Sequence, residues 1–247
     1  MMQGPDQTAG RREAMLAAIL RRLEGCGCIA VGAASPLPGS AALLARAKWG
    51  ARVLMLGSRR HNAFTDGGRE LFDLAAQGRL DAFFLSGGQI DGGANINLLG
   101  IGRYPDGLRQ RFPGSFGSAY LYFLVPRVIL FREEHEARVF PERVDIVSAP
   151  GTSPPEIYRR GGPVALVTGR CAFAFDRASG RFALETVHPG EDAASVRAAT
   201  GFAYDAPAQV PETAGLTPED RALLYGRVAA EIAETYPRFA AGLIAAA

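Results

Sequence analysis

Apolar and polar residues along this chain change repeatedly between the spacing of an amphipathic helix and the continuous apolar runs of buried strands. Helical spacing predicts helices over residues 10–24, 39–48 and 69–77. Short apolar runs predict buried strands over 28–33, 52–56, 81–85, 127–131, 143–147 and 164–168. Strands that alternate with helices in this way are typical of a largely parallel sheet covered by helices. The predicted fold class is therefore α/β.

The C-terminal third adds a hairpin and a helical tail. Residues 171–175 and 182–187 alternate on either side of a polar turn, which predicts an antiparallel hairpin. Thr217 is followed by proline and two acids, a good helix start because threonine caps the backbone and the acids favour the helix dipole. No repeat or linker interrupts the pattern. We therefore predict a single domain over residues 1–247 with a helical tail at 217–247.

Composition and charge restrict the possible partners. The chain has 247 residues, of which 48% are hydrophobic and 21% charged, which is typical of a soluble domain with a full core. The net charge of +2 gives no reason to expect binding to nucleic acid or to a membrane surface. No apolar run approaches the roughly 18 residues of a membrane span. Arginines on both sides of the apolar residues 14–20 predict an amphipathic helix rather than a signal peptide.

The cysteines and the acidic turn do not suggest a metal site. Cys26, Cys28 and Cys171 lack zinc-like spacing, and we interpret them as structural thiols in a reducing cytoplasm. The run Glu133–Glu136 contains His135, but consecutive residues cannot all face one ion at a strand end. We interpret this run as a solvated charged turn and expect no bound metal.

Five ordered sequence blocks carry the strongest signal in the chain. They contain Gln89-Ile90-Asp91, Ala94-Asn95-Ile96-Asn97, Pro113-Gly114-Ser115-Phe116-Gly117-Ser118, residues 135–151, and His188-Pro189-Gly190 followed by Val196 and Thr200-Gly201-Phe202. They resemble the β subunit of family I CoA-transferases, whose usual pattern is Gln-Val-Asp, Gly-Asn-Leu-Asn, Gly-Ser-Gly-Gly, a His…Pro-Gly strand and a closing His-Pro-Gly…Thr-Gly-Phe. The matches span roughly residues 25–211.

This resemblance implies the CoA-transferase (NagB/RpiA-like) fold, CoA as part of an acyl-CoA substrate, and an α-type partner subunit, because the family's active site lies between two halves. In the family, a β-subunit glutamate attacks the thioester and becomes a mixed anhydride and then a glutamyl-CoA thioester. In the segment 53–59 of this chain, Gly57 occupies the place of that glutamate. The next acid, Asp66, comes nine residues later and would need a remodelled loop. We treat Gly57 and the adjacent Ser58 as candidate catalytic-site residues.

Other positions have two possible interpretations. Gln89 and Asp91 either orient substrate in the catalytic site or form ordinary turn structure. Gly114, Ser115 and Gly117 are candidate CoA-binding residues with backbone donors for developing charge. Phe116 replaces a family glycine and is either an apolar wall for the acyl group or a sign of a repacked loop.

A few residues are interpreted more simply. Asn95 and Asn97 are expected to be structural. Arg59, Arg60 and His61 could meet CoA phosphates, although exposed loop charge is the simpler interpretation. Residues 36–39 are placed in a loop ahead of a helix whose N-terminus would favour an anion.

Three functions follow from these residues. The first is an enzyme subunit that hydrolyses an acyl-CoA or cleaves a ring in it, with the base on the partner, similar to the steroid ring-cleaving CoA hydrolases, which also lack the glutamate. The second is a CoA-transferase with its nucleophile moved to Asp66 or Glu70. The third is a non-catalytic subunit that stabilises or regulates an α-type partner.

Overall fold

The structure is a computed structural model that describes residues 5–62, 64–66 and 68–245. In chain order its helices are α1 (Pro5–Arg22), α2 (Pro36–Trp49), α3 (Arg69–Ala76), α4 (Ser118–Leu124), α5 (Ala193–Ala199), α6 (Pro218–Leu223), α7 (Ala229–Ile232) and α8 (Pro237–Ile244). Its strands are β1 (Cys28–Val31), β2 (Arg52–Met55), β3 (Ala82–Leu85), β4 (Gln89–Ile90), β5 (Ile96–Asn97), β6 (Gly100–Arg103), β7 (Gly107–Arg111), β8 (Arg127–Arg132), β9 (Pro163–Thr168), β10 (Cys171–Asp176) and β11 (Arg181–Val187).

These elements form two compact units. The first unit contains the described residues up to Phe84 and those from Thr213 onward, and the second contains Leu85–Glu212. The C-terminal helices therefore belong to the same unit as β1 and β2, although more than 150 residues separate them along the chain. The prediction of one domain with a helical tail stays a prediction.

The first unit is built on parallel strands in the order β3, β1, β2. The strands are buried almost throughout, as expected where helices cover a parallel sheet. Helix α2 packs on β1 and β2, and α1 packs on α2. Because β2 is parallel to its neighbour, the loop that follows Met55 leaves from the carboxyl edge of the strands, where ligands commonly bind in α/β proteins.

The second unit contains four larger strands and two small ladders. Strands β8 and β9 are parallel, whereas β9, β10 and β11 are antiparallel. Strands β4 and β5 form one two-stranded ladder, and β6 and β7 form another. Its core contains the mutually packed rings of Phe140, Phe173, Phe182, Phe202 and Tyr204. Full burial of one such phenylalanine contributes about 1.5–3 kcal/mol.

Most of the predicted elements are confirmed. The α/β class with largely parallel pairing is present, because the β1–β2, β1–β3 and β8–β9 pairs are all parallel. The predicted hairpin is formed by β10 and β11. Thr217 caps α6 by accepting a hydrogen bond from the Asp220 N–H at 3.1 Å. A π-helical turn at Leu224–Val228 joins α6 to α7, and α8 begins at Pro237.

Two sequence predictions about elements were wrong. Residues 143–147 are irregular rather than a strand, because the Val144 and Asp145 N–H groups donate to the side chains of Asp91 and Gln89 instead of to a neighbouring strand. Residues 36–39 lie inside α2 rather than ahead of it, since proline at the first helical position has a backbone already suited to the helix.

Two properties of the described residues bear on chemistry and location. Among the described residues no helix is long and apolar enough to cross a membrane. All three cysteines are free and buried, as expected for structural thiols.

Candidate functional site

Gly57 begins the loop that follows β2. Its φ of +87° lies in the left-handed region, and it is exposed at the surface of its unit. A Cβ atom added at this position would meet no other heavy atom within 4 Å. The position at which the family resemblance places a nucleophilic side chain is therefore open space beside a strand end.

Ser58 fixes the same loop to the C-terminal part of the unit. Its side chain is only 2% exposed, and its hydroxyl donates to Glu234 Oε2 at 2.7 Å. The same hydroxyl oxygen accepts from the N–H groups of His61 at 2.9 Å and Arg60 at 3.2 Å. The N–H of Arg59 donates to Glu234 Oε1 at 2.8 Å. Ser58 thus organises the loop, and its predicted catalytic role stays a prediction.

Glu234 brings a carboxylate to the residues directly after Gly57. It accepts hydrogen bonds from the Ser58 hydroxyl, the Thr235 hydroxyl and the Arg59 N–H, and these lower its pKa to about 2. The side chain is nevertheless exposed. Sequence reasoning missed this contact, because 176 residues separate Ser58 from Glu234 and no local pattern connects them.

His61 is buried, so its interpretation as exposed loop charge was wrong, whereas Arg59 and Arg60 are exposed as expected. Arg46 Nη1 donates to His61 Nδ1 at 3.0 Å, and Arg46 also pairs with Glu231. Burial and then the positive charge of Arg46 lower the pKa of His61. His61 is therefore a neutral partner of an ion pair beneath the loop.

Asp66 and Glu70 form a local cap around the start of α3. The Glu70 N–H donates to Asp66 Oδ1 at 3.3 Å, and Arg69 pairs with Asp66 at 3.4 Å. The Glu70 carboxylate accepts from the N–H and the hydroxyl of Thr65 at 2.9 and 3.0 Å. Both carboxylates have local structural roles in this conformation.

In the second unit, Asp91 organises the turn between β4 and β5. One carboxylate oxygen accepts from the N–H groups of Gly93 at 3.0 Å and Asn95 at 3.1 Å. The other accepts from the Val144 N–H at 3.3 Å, and the Asn95 amide contacts both oxygens. Asp91 is only 4% exposed, so this carboxylate holds backbone that would otherwise lack partners.

Gln89 joins the same region through its amide. Its Oε1 accepts from the Asn97 amide at 2.8 Å and from the Asp145 N–H at 2.9 Å, and its Nε2 donates to Asp145 Oδ1 at 3.2 Å. Asn97 in turn holds both backbone groups of Gly100. The structural interpretation of Asn97 fits these bonds, and the role of Gln89 in orienting substrate stays a prediction.

The loop before α4 combines three residues with positive φ. The angles are +106° at Gly114, +35° at Phe116 and +67° at Gly117. The Phe116 side chain is 67% exposed, so it does not pack into the interior. The N–H groups of Ser115 and Gly117 have no acceptor among the residues that the structure describes. These groups can donate to a ligand atom that acquires negative charge.

The predicted site residues therefore form two groups, each within one unit. The first unit holds Gly57 and Ser58 together with Glu234. The second unit holds Gln89, Asp91 and the loop 114–117. Within the described ranges, no group of three or more histidine, cysteine, aspartate or glutamate residues is arranged to hold a metal ion.

Two curated proteins are similar to the chain in sequence, and both are the B-type component of a CoA-transferase. That of 3-oxoadipate CoA-transferase from Pseudomonas knackmussii is 31% identical over 147 residues, which cover 57% of this chain and 55% of that protein. That of glutaconate CoA-transferase from Acidaminococcus fermentans is 32% identical over 129 residues, covering 49% and 47%. The chain thus matches about half the length of these relatives. No protein-family model matches.

Solved structures match nearly the whole chain. The decarboxylase AibA/AibB superposes with a TM-score of 0.75 at 24% identity, over 96% of this chain and 99% of that one. IpdAB of Rhodococcus jostii RHA1 superposes with a TM-score of 0.74 at 23% identity, over 92% and 94%. These likenesses establish the fold.

The chain is similar in sequence to the B-type components of CoA-transferases, and it shares the fold of the solved structures AibA/AibB and IpdAB. Gly57 and Phe116 depart from the CoA-transferase pattern that the sequence resembles, and both lie in exposed loops rather than in the core.

The two histidines of the CoA-transferase pattern are structural in this chain. His135 is 4% exposed, and its ring lies 2.7 Å from the Thr168 hydroxyl and 2.8 Å from the Thr200 hydroxyl. Thr200 donates its own proton to the Val196 carbonyl, so it accepts from His135 Nε2, and the other ring nitrogen accepts from Thr168. His188 contacts the Thr168 carbonyl at 2.8 Å.

Burial, followed by the positive charges of Arg170 and His188, lowers the pKa of His135 to about 3. The expectation of a solvated turn holds for Glu133 and Glu136, which are exposed, whereas His135 faces the core.

Proposed function

We propose that this chain is the B-like component of a two-chain enzyme that hydrolyses an acyl-CoA thioester or cleaves a carbon–carbon bond in its acyl group. The observation that carries the proposal is Gly57, an exposed residue with open space around it at the place of the family's nucleophile. Without a carboxylate there, the covalent glutamyl-CoA route lacks its first step.

Hydrolysis needs a base, a water molecule and donors for the oxyanion. A base on the α-type partner takes a proton from water, the resulting hydroxide attacks the thioester carbonyl, and the CoA thiolate leaves and is protonated. The N–H groups of Ser115 and Gly117 stabilise the negative charge on the carbonyl oxygen. Gln89 and Asp91 hold the backbone of the same unit in place.

The names of the similar proteins support a two-chain arrangement on CoA esters. Both sequence relatives are named as B-type components of CoA-transferases, and the structural neighbour AibA/AibB is named as a pair. That neighbour is a decarboxylase, so proteins of this fold do not all transfer CoA. The absence of a carboxylate at Gly57 is what favours cleavage over transfer.

The first test is to isolate the chain from its native lysate and identify what co-purifies. Recovery of an α-type CoA-transferase homologue, and release of free CoA thiol when the complex is given acyl-CoA without an acceptor acid, would support the proposal. A Gly57→Glu variant is the matched control, because it restores the family nucleophile. A complex that binds no acyl-CoA would contradict the proposal, and so would wild-type activity that strictly requires an acceptor acid.

A second candidate function is a CoA-transferase with a relocated nucleophile. Asp66 and Glu70 hold the start of α3, but Glu234 places an exposed carboxylate beside Ser58 and Arg59. Attack by Glu234 on the thioester carbonyl would expel CoA thiolate and leave a mixed anhydride. The thiolate then attacks the glutamyl carbonyl, breaks the anhydride bond, forms a glutamyl-CoA thioester and releases the acyl group as a free carboxylate.

Trapping distinguishes the two candidates. The complex is incubated with acyl-CoA, treated with hydroxylamine, and mapped by mass spectrometry. A hydroxamate on Glu234 that disappears in Glu234→Gln but persists in Asp66→Asn would establish the transferase. An unmodified chain that still releases CoA would leave hydrolysis or bond cleavage. A chain that stays unmodified in an inactive complex would indicate a non-catalytic role if the partner is unstable when this chain is removed.

A further inference from the structure

The hairpin formed by β6 and β7 carries a concentration of positive charge outside the residues assigned so far. Arg103, Arg109 and Arg111 are all exposed. None of the three guanidinium groups forms an ion pair or a hydrogen bond with any residue that the structure describes. Between residues 100 and 111 the one acid is Asp106, so the segment carries three positive charges and one negative.

The strand register leaves space beside each of these arginines. Arg111 lies opposite Gly100, and Arg103 lies opposite Gly107. The pairing shifts from Ile101–Gln110 to Gly102–Leu108, so Arg109 is the extra residue of a bulge and has no cross-strand partner. No side chain lies directly across the ribbon where it could bind one of these three guanidinium groups in place of a ligand.

The ribbon continues from the hairpin into the loop before α4. The Phe112 N–H donates to the Leu99 carbonyl at 2.9 Å, and the Gly114 N–H donates to the Leu98 carbonyl at 3.2 Å. At about 3.3 Å per residue of extended chain, Arg111 lies roughly 10 Å and Arg109 roughly 17 Å from Gly114 along the ribbon. The positive charges therefore begin about 10 Å along the ribbon from the donors of the loop.

The remaining carboxylate at the hairpin is already engaged. Asp145 accepts from the Gly102 N–H at 2.7 Å and from the Gln89 amide at 3.2 Å. Its negative charge makes the local electrostatic potential less positive. Its oxygens accept hydrogen bonds from the Gly102 N–H and the Gln89 amide and none from the three arginines.

We infer that Arg103, Arg109 and Arg111 bind the phosphate groups of CoA while the thioester lies at the loop 114–117. The inference rests on the proposed function, because it names where on this chain the nucleotide end of the same substrate binds. Guanidinium groups suit phosphates because their planar donors form paired, charge-assisted hydrogen bonds. A ligand that runs outward from the loop along the ribbon places its pantetheine arm beside Phe112 and its phosphates among the arginines.

The test is calorimetric titration of the purified protein, with its co-purifying partner where one is present, at low salt. The probes are CoA, 3′-dephospho-CoA and pantetheine. The variants are Arg109→Ala/Arg111→Ala and Arg103→Ala, with Arg109→Lys/Arg111→Lys retaining charge. Arg238→Ala is the matched control, because Arg238 is an exposed arginine in the other unit.

For the double alanine variant we expect CoA affinity to fall about three- to tenfold, as for two exposed ion pairs. We also expect a weaker dependence on salt and no change in pantetheine affinity. Arg238→Ala should bind CoA like the wild type. Equal CoA affinity in the wild type and the double variant would overturn this inference and leave the proposed function standing. Loss of the partner without loss of CoA affinity would also overturn it and assign the hairpin to protein contact. A wild-type protein that binds no CoA would overturn both.

Discussion

Single residues with left-handed backbone mark the loop after β2 and the loop before α4. Gly57 has a φ of +87° and Phe116 a φ of +35°. Glycine adopts this region without cost, whereas a side chain there costs about 1–2 kcal/mol. Phe116 therefore holds a backbone conformation that side chains disfavour, although the residue is 67% exposed.

Replacement of Gly57 tests whether its positive φ or the surrounding space determines which side chains this position tolerates. We expect Gly57→Glu to lower the free energy of unfolding by about 1 kcal/mol because of its positive φ, and Gly57→Asn to lower it less, since asparagine tolerates that region better. Urea unfolding of both variants measures the difference. Because the surrounding space is open, an equal loss in the two variants would show that the strain does not come from φ.

His135 makes stability depend on pH. Its pKa is about 3 in the folded chain and about 6.5 when unfolded, so the unfolded chain binds more protons between these values. Its contribution to stability is complete above pH 6.5 and is lost as the pH falls toward 3. The part already lost at pH 5 is about 2 kcal/mol. Urea unfolding between pH 7.5 and 4 should show this slope. His135→Gln, which cannot titrate there, should show a flatter one, and parallel slopes would contradict the assignment.

At the scale of elements, the strength of the apolar pattern decided what could be predicted from sequence. Strands such as β1 and β2, and helices such as α3, followed from apolar runs and helical spacing. The short strands from β4 to β7 were missed because they lie in glycine-rich segments whose backbone is held by side chains. The same cause made residues 143–147 appear to be a strand: Asp91 and Gln89 take the N–H bonds that a strand would use.

The turn between β4 and β5 should depend strongly on Asp91. Asp91→Ala removes the acceptor of the Gly93, Asn95 and Val144 N–H groups, and unsatisfied buried donors cost about 1–3 kcal/mol each. We expect a loss of about 2–4 kcal/mol in urea unfolding, allowing for partial relaxation. Asp106→Ala, in the exposed turn after β6, is the control and should change stability by less than about 0.5 kcal/mol. A small effect of Asp91→Ala would leave orientation of substrate as its principal role.

At the scale of the whole molecule, the C-terminal segment completes the unit that contains the open position at Gly57. Glu234 holds the loop after β2, and Glu231 pairs with Arg46 below it. Sequence alone predicted a helical tail but not the contacts of these acids, because a helical pattern does not report which distant loop the segment meets. The candidate site was therefore predictable in its local motifs and not in the residues that fold back onto it.

Glu234→Gln should loosen the loop without unfolding the unit. The variant keeps an acceptor but loses the charge that strengthens the bonds to Ser58 and Arg59, so we expect faster hydrogen exchange at the Arg59 N–H and at the adjacent loop amides. Hydrogen exchange with mass spectrometry measures this effect. Glu219→Gln, an exposed acid in the first turn of α6, is the control. Unchanged exchange in Glu234→Gln would show that the loop is held by other contacts.

The buried cysteines give the chain a practical property for labelling. Burial raises the pKa of Cys28 and takes that of Cys171 to about 12, and Cys26 is also buried. Thiol reagents react with the thiolate, so the native protein should resist maleimides while it remains folded. A single cysteine introduced at the exposed Phe116 would then take up a fluorophore selectively, and its emission would report the arrival of a ligand or a partner at that loop without removal of any native cysteine.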